Sequence, residues 1–149
     1  MKLLEQLIKA KEAKGGKDRP VISVAPEDKV YHALGILAQY DIGALLVMDG
    51  AQLVGIFSER DYARKVALLG RDSHDTPVRE IMSDKVVYVT LDQSVEDCMA
   101  IMTERHIRHL PVLAADGTVA GFLSIGDLVK ETISEQTFII GQLEHYITH

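Results

Sequence analysis

Two similar seven-residue stretches indicate how this sequence folds. Residues 55–61 read Gly-Ile-Phe-Ser-Glu-Arg-Asp, and residues 121–127 read Gly-Phe-Leu-Ser-Ile-Gly-Asp. In both, the apolar pair is typical of a strand end. The Ser-x-x-Asp that follows is typical of a helix start, where serine and aspartate side chains bond to free backbone N–H groups. A strand-to-helix junction that occurs twice indicates two copies of one unit.

The similarity extends well beyond these junctions. A shift of 65 residues places Val24 on Val89 and Leu45 on Leu110, and one inserted residue then aligns the two junctions. The insertion falls beside an Asp-Gly dipeptide that both copies contain. It is Asp49-Gly50 in the first copy and Asp116-Gly117 in the second. Asp-Gly favours a tight hairpin turn because glycine readily adopts positive φ. The insertion therefore lies in a loop.

Each copy predicts the order β-α-β-β-α. Apolar residues at positions i, i+3, i+4 and i+7 predict first helices that begin near Val30 and Val95. One unit of this size would hardly bury its own helix faces, so the two are expected to dock as one module. We expect an α/β (α+β) fold of two tandem repeats with pseudo-two-fold symmetry and flanking terminal helices. The predicted strands are Val21–Val24, Ala44–Met48 and Gln52–Phe57, then Val86–Val89, His109–Leu113 and Thr118–Leu123, and the second helices start at Glu59 and Ile125.

Both ends of the chain are predicted to be helical. Apolar residues within Leu3–Ile8 fall at helical spacing, which predicts a short amphipathic helix that packs on the body. Apolar residues between Ile133 and Ile147 approximate a heptad seam, which suits packing on the chain's own module or on a second subunit equally well. The expected divisions are 1–19 (helix and linker), 20–82 (first repeat), 83–134 (second repeat) and 135–149 (C-terminal helix), with Ile133, Ile140, Leu143 and Ile147 in the seam.

Composition excludes several classes of protein. The 149 residues include 22 acidic side chains against 16 lysines and arginines, a formal net charge of −6. A nucleic-acid polymer or an anionic membrane as main partner is disfavoured because both need a basic footprint. The single cysteine, Cys98, excludes an internal disulfide and is expected to be inert core. No apolar run approaches the roughly 20 residues that cross a bilayer, so we expect a cytoplasmic protein.

The Ser-x-x-Asp motifs have two interpretations. As capping boxes they would only stabilise helix starts. A helix N-terminus also offers N–H donors and partial positive charge to a phosphate, and an aspartate can accept hydrogen bonds from both ribose hydroxyls. No nucleophile-and-base arrangement typical of a catalytic centre can be assembled, and a metal site at His145 and His149 lacks a third ligand. We therefore expect no catalytic residue and no metal.

The duplicated unit resembles a known family. Two β-α-β-β-α copies that end in Gly-x-x-Ser-x-x-Asp, with Ile-Arg-His-Leu-Pro-Val at 107–112, are similar to a tandem pair of cystathionine-β-synthase (CBS) domains over about residues 17–134. The resemblance is closest to stand-alone two-CBS proteins of bacteria and plant organelles. It implies a regulatory, non-catalytic module that binds adenosine ligands between its repeats: AMP above all, also ADP or ATP, and less often NAD or S-adenosylmethionine.

The resemblance also implies two sites built crosswise, each with an adenine seat from one repeat and Ser-x-x-Asp from the other. The second site is more cationic, because Arg60, Arg108 and His109 align with uncharged residues of the first. A solvated helix charge for Arg60 and a structural role for His109 stay open. The first site would comprise Val21, Ile22, Ile42, Gly43 and Ala44 with Ser124, Gly126 and Asp127; the second would comprise Val86, Val87, Ile107, Arg108 and His109 with Ser58, Arg60 and Asp61.

Three other functions are compatible with the sequence. They are a module specialised for NAD or S-adenosylmethionine, an enzyme that uses the cleft, and a structural dimer without ligand whose motifs only cap helices. The favoured interpretation is a homodimer that binds an adenine nucleotide and signals its occupancy to a protein target that the sequence does not identify.

Overall fold

The computed structural model describes residues 2–15 and 22–148, which form the predicted series of strands and helices. A π-helical turn, Ala63–Ala67, extends the short helix α3, and a 3-10 turn, Val78–Glu80, lies between the repeats. The elements are α1 (Leu4–Gly15); β1 (Ser23–Val24), α2 (Val30–Tyr40), β2 (Ala44–Asp49), β3 (Gln52–Ser58) and α3 (Glu59–Tyr62) in the first repeat; and β4 (Val89–Thr90), α4 (Val95–Arg105), β5 (His109–Leu113), β6 (Val119–Ser124) and α5 (Ile125–Thr148) in the second.

Each repeat forms its own three-stranded sheet. The strand orders are β1-β2-β3 and β4-β5-β6, with the first pair of each sheet parallel and the second pair antiparallel. Both hairpins are irregular at the same place, after Val47 and after Val112. Both also turn through glycines with positive φ, Gly50 at 61° and Gly117 at 87°. These equivalences confirm the predicted fold class.

The segment predicted as the strand Val86–Val89 differs from the expectation. Pairing with β5 begins only at Val89, which lies opposite Val112. Continued in parallel register, Val86 would fall opposite His109. Instead Val86 and Val87 line a cleft between the repeats. The ladder therefore stops where the chain turns to form a wall of that cleft.

The buried side chains form two clusters, one in each repeat. The first repeat's cluster includes Val78 and Ile81, from a segment that precedes the second repeat. The second repeat's cluster includes Leu4, Leu7 and Ile8, from the N-terminal helix that precedes the first repeat. Each core is thus completed by the segment that leads into the other repeat. We call Lys2–Ile8 leading segment A and Thr76–Met82 leading segment B.

Equivalent backbone hydrogen bonds hold the two leading segments. The Val30 N–H donates to the Thr76 carbonyl at 2.8 Å, and the Val95 N–H donates to the Lys2 carbonyl at 3.0 Å. Since Val30 and Val95 are the first residues of α2 and α4, each leading segment accepts a bond from a helix start that would otherwise lack a partner. Further matching pairs join Val78 N to Asp28 O (2.8 Å), Leu4 N to Gln93 O (2.9 Å), Arg79 N to Pro26 O (2.9 Å) and Glu5 N to Leu91 O (3.2 Å).

A glycine in each sheet lets the leading segment approach closely. A Cβ added to Gly55 would lie 2.6 Å from the Met82 Sδ, and one added to Gly121 would lie 3.0 Å from the Ile8 Cδ1. Only a residue without a side chain fits these contacts unchanged. The glycines of the two junction motifs therefore serve packing against leading segments B and A.

Helix α5 leaves the body of the module after its first two turns. Leu128 is fully buried, and the Lys2 Nζ forms an ion pair with the Glu131 Oε1 at 2.8 Å. Every residue from 133 to 147 is exposed. Within the described residues, α5 therefore has no half-buried or buried residue between Thr132 and its exposed end at Ile147. In residues 2–15 and 22–148, no helix is long and apolar enough to span a membrane.

We predict that Leu4→Ala lowers the free energy of unfolding by about 2–5 kcal/mol, because Leu4 has no exposed surface and lies in the core of the distant second repeat. Leu3→Ala is the matched control, since the Leu3 side chain is 37% exposed, and its cost should stay within about 1 kcal/mol. Urea denaturation of both variants measures the difference. Equal effects would contradict a structural role of α1 in the second repeat.

Candidate functional site

A cleft of about 390 Å³ lies between the two repeats. This volume falls in the range of small-molecule sites. Its residues come from the start of β2, from the β3–α3 junction, from the chain after leading segment B, and from the turn before β5. They are Gly43, Ala44, Ile56, Ser58, Glu59, Arg60 and Asp61 from the first repeat, then Ser83, Lys85, Val86, Val87, His106, Ile107, Arg108 and His109.

The cleft brings together every residue of the second predicted site. On one wall lie Val86, Val87 and the segment 107–109; on the other lies the helix start that carries Ser58 and Asp61. Val87 and Ile107 also pack against the core of the second repeat, which holds them in place. The crosswise arrangement of this set, apolar residues from one repeat and Ser-x-x-Asp from the other, is therefore present.

The residues of the first predicted site do not all line one cleft. Gly43 and Ala44 line the same cleft as the second site. Ile22 and Ile42 are half-buried against the core of the first repeat, and Val21 lies outside the described residues. Ser124, Gly126 and Asp127 form the start of α5 and are not among the residues that line the cleft.

The side chain of His109 lies beside one residue of the first predicted site. Its Cε1 lies 3.6 Å from where a Cβ of Gly43 would be, an ordinary van der Waals contact. On its other side the ring is tilted against Phe122, with centroids 5.5 Å apart. Burial lowers the pKa of His109, as does Arg108, while Asp127 and Glu59 oppose the shift. The surroundings of His109 therefore favour the neutral form of the imidazole.

Both predicted capping boxes are present. The Asp61 N–H donates to the Ser58 Oγ at 3.2 Å, and the Ser58 N–H donates to the Asp61 Oδ2 at 3.0 Å. The corresponding distances between Ser124 and Asp127 are 3.1 and 2.9 Å. Asp61 is buried, and its Oδ1 lies 3.3 Å from the Lys65 Nζ. The second oxygen of Asp61 is thus turned away from the cap.

A third box of the same type was missed in the sequence. Ser94 and Asp97 cap α4 with distances of 3.1 and 3.0 Å, yet neither residue lines the cleft. Ser-x-x-Asp by itself therefore marks a helix start and does not mark a ligand site. What distinguishes Asp61 is the position of its helix start at the mouth of the cleft.

Three cations surround the cleft: Arg60, Lys85 and Arg108. In the part of the chain that the structure describes, none of them forms an ion pair with a carboxylate. Positive charge that is not neutralised internally favours an anionic ligand. Lys85 was not predicted, although it directly precedes Val86. The other lining residues that sequence analysis missed are Ile56, Glu59, Ser83 and His106.

Among the described residues, no group of three histidine, cysteine or carboxylate side chains has metal-binding geometry. His145 lies on the exposed part of α5, and His149, its proposed partner, lies outside the described residues. The Cys98 side chain is buried in the core of the second repeat, where desolvation raises the pKa of its thiol to about 11.

Comparison with known proteins identifies the family. The model of the CBS domain matches residues 17–68 and 78–134. The mitochondrial CBS domain-containing protein CBSX3 of Arabidopsis thaliana is 38% identical over 126 residues, 81% of this chain and 61% of that protein. YhcV of Bacillus subtilis is 32% identical over 78% of this chain and 82% of its own length. This chain therefore spans less than two thirds of the Arabidopsis protein.

Comparison with solved structures identifies the same family. A protein with CBS domains from Burkholderia ambifaria MC40-6 has a TM-score of 0.83 and 50% identity, over 90% of this chain and 96% of its own. A more distant CBS domain pair, 21% identical with a TM-score of 0.74, was solved with 5′-methylthioadenosine and S-adenosyl-L-methionine. The inosine-5′-monophosphate dehydrogenase of Aquifex aeolicus is 29% identical, but only over 26% of that enzyme. CBS pairs are regulatory modules that can bind adenosine-containing ligands, and this chain belongs to the CBS domain family.

Proposed function

We propose that this CBS pair is a non-catalytic sensor that binds an adenine nucleotide, AMP first and also ADP or ATP, in the cleft between its repeats. The observation that carries the proposal is the composition of that cleft. Apolar side chains on one wall face a buried aspartate at a helix start, and three cations that form no ion pair within the described residues surround them. Such a site suits a ligand with a flat apolar base, a sugar diol and a negatively charged end.

Each part of the nucleotide has a matching set of residues. The base would lie between the apolar side chains of Val86, Val87 and Ile107. The ribose hydroxyls would donate to Asp61, whose Oδ1 is not used by the cap. The phosphates would meet the cations of the cleft and the start of α3. The Ser58 hydroxyl already makes two hydrogen bonds: it donates to the Asp61 Oδ2 at 3.0 Å and accepts from the Asp61 N–H. This supports binding without chemistry on the ligand.

The charge of the cleft favours nucleotides over the alternative ligand S-adenosylmethionine. A sulfonium is a cation and would be repelled by Arg60, Lys85 and Arg108, whereas phosphates are attracted. NAD carries two phosphates and remains an alternative. A purely structural dimer is the remaining alternative, since the capping boxes are present whether or not a ligand binds.

Asp61→Ala should weaken AMP binding roughly 10- to 150-fold, the equivalent of about 1.5–3 kcal/mol for charged hydrogen bonds to ribose. It should also cost about 0.5–2 kcal/mol of stability through the lost cap. Asp97→Ala is the matched control, because Asp97 makes the same capping bonds outside the cleft. It should lose stability only. Isothermal titration calorimetry and urea denaturation of both variants measure the two effects.

Three results would contradict the proposal. If the wild-type protein binds neither AMP, ADP, ATP nor NAD at millimolar concentration, the nucleotide proposal is wrong; if S-adenosylmethionine does not bind either, the structural-dimer alternative takes its place. If Asp61→Ala and Asp97→Ala lose stability equally and neither changes the affinity, Asp61 is only a cap. If the protein turns over ATP or NAD in more than stoichiometric amounts, the alternative of an enzyme that uses the cleft is correct and the non-catalytic sensor is not.

Lys85→Ala should weaken ATP and ADP binding more than AMP binding, because the longer ligands carry more phosphate charge. Its effect on ATP is expected to be roughly tenfold. The same variant should bind S-adenosylmethionine no more weakly than the wild type does. Lys29→Ala is the matched control, because it removes an exposed lysine that does not line the cleft. A uniform loss of affinity for all four ligands would contradict a phosphate contact of Lys85.

The nucleotide affinity of the wild type, relative to that of the His109→Gln variant, should rise as the pH falls from neutrality. Burial holds the pKa of His109 below its ordinary value in the free protein. A nearby phosphate would raise this pKa, so binding would take up a proton and strengthen as the pH falls through the window between the two values. His109→Gln should abolish that part of the pH dependence, which titrations of both proteins from pH 8 to pH 5.5 would measure. An unchanged pH profile would place the phosphates away from His109.

A further inference from the structure

The exposed half of α5 presents an apolar face that residues 2–15 and 22–148 do not cover. All residues from 133 to 147 are exposed, a length at which an isolated helix is only marginally stable in water. Helices of this kind normally owe their stability to packing of an apolar face. The exposed large apolar side chains on it include Ile133, Ile140, Leu143, Tyr146 and Ile147, at 55–83% of full exposure.

These side chains form a continuous heptad seam. Val129, Ile133, Gln136, Ile140, Leu143 and Ile147 follow one another at alternating spacings of four and three residues, the a and d positions of a coiled coil. Ile139 and Tyr146 flank the seam on one side. The seam residues and the two flanking residues, apart from Gln136, are all 41% exposed or more.

The area of this face matches one half of a protein interface. If each of the seven apolar side chains contributes on the order of 100 Å², together they approach the roughly 800 Å² that one partner contributes to a stable complex. A monomer rarely exposes so large an apolar patch. A seam that repeats its own spacing is also self-complementary, as a two-fold interface requires.

We propose that α5 pairs with α5 of a second copy of this chain as an antiparallel coiled coil centred near residue 138. This goes beyond nucleotide binding and does not depend on it. In the antiparallel arrangement, Ile133 packs against Leu143 of the other copy and Val129 against Ile147. Each a position then faces a d position along the whole seam.

The charges beside the seam decide the direction. Lys130 and Glu144 both occupy e positions, which lie opposite each other only when the helices run antiparallel. Two-fold symmetry then forms this pair of opposite charges twice. A parallel coiled coil would instead place Lys130 beside Ile125 and Glu144 beside Ile139, so both charges would face apolar side chains.

The mass of the full-length protein in solution tests the interface. Light scattering after size exclusion should give a dimer at 10 μM, without nucleotide. Ile140→Lys puts a charge in the centre of the seam and should weaken dimerisation at least 100-fold. Phe138→Lys is the matched control, because Phe138 is 66% exposed on the opposite face of the same helix, and it should remain a dimer. Circular dichroism checks that both variants stay folded.

Charge reversal tests the direction. Lys130→Glu or Glu144→Lys alone should weaken the dimer several-fold, and the double variant should restore it. A monomeric wild type, or a dimer that Ile140→Lys leaves intact, would overturn the seam as the interface. If both single reversals weaken the dimer and the double variant weakens it further, the helices do not run antiparallel. Since no nucleotide is present, failure here leaves the ligand proposal unaffected.

Discussion

The exchange of leading segments is the constraint on which the rest of the molecule depends. Leading segment A completes the core of the second repeat, and leading segment B completes that of the first. If leading segment A or B detaches, the repeat whose core it completes loses part of that core. The same repeat also loses the backbone carbonyl that accepts a hydrogen bond from its helix start. Burying apolar surface and pairing backbone groups both favour the closed arrangement. The repeats are consequently joined by packing as well as by the connecting chain.

The same exchange builds the cleft. Directly after leading segment B, Ser83 exchanges two backbone hydrogen bonds with Ile56 of β3, at 2.9 and 3.0 Å. This fixes the path of the chain so that Lys85, Val86 and Val87 enter the cleft before β4 begins. The residues that close one core thus position a wall of the site. A change at this connection would alter both stability and the shape of the cleft.

Local patterns in the sequence predicted the local structure well. Asp-Gly turns, alternating strands and Ser-x-x-Asp starts depend on neighbouring residues, so the hairpins and capped helices follow from them. The exchange was missed, although Leu4, Leu7 and Ile8 have the same spacing as Val78, Ile81 and Met82. The two triplets align at a shift of 74 residues, whereas the repeats align at a shift of 65 residues. A single alignment therefore does not show both similarities.

For the cleft, sequence pattern predicted which motifs meet but not which extra residues join them. Lys85, Ser83 and His106 reach the cleft through backbone paths between elements, where periodicity gives no signal. Conversely, Ser94 and Asp97 match the motif completely and lie elsewhere. Motif identity decides local hydrogen bonding, while position relative to the other repeat decides whether the motif faces a ligand.

Near-symmetry explains why the two sites differ. Residue 43 and residue 109 approach each other at the centre of the pair, with 3.6 Å between the His109 Cε1 and a Cβ placed on Gly43. An alanine at position 43 would therefore make an ordinary van der Waals contact with the imidazole. The second repeat has Arg108 at the position equivalent to Gly43. An arginine in the first repeat would begin its side chain in contact with the His109 ring, whereas the glycine at that position leaves this space to the cleft.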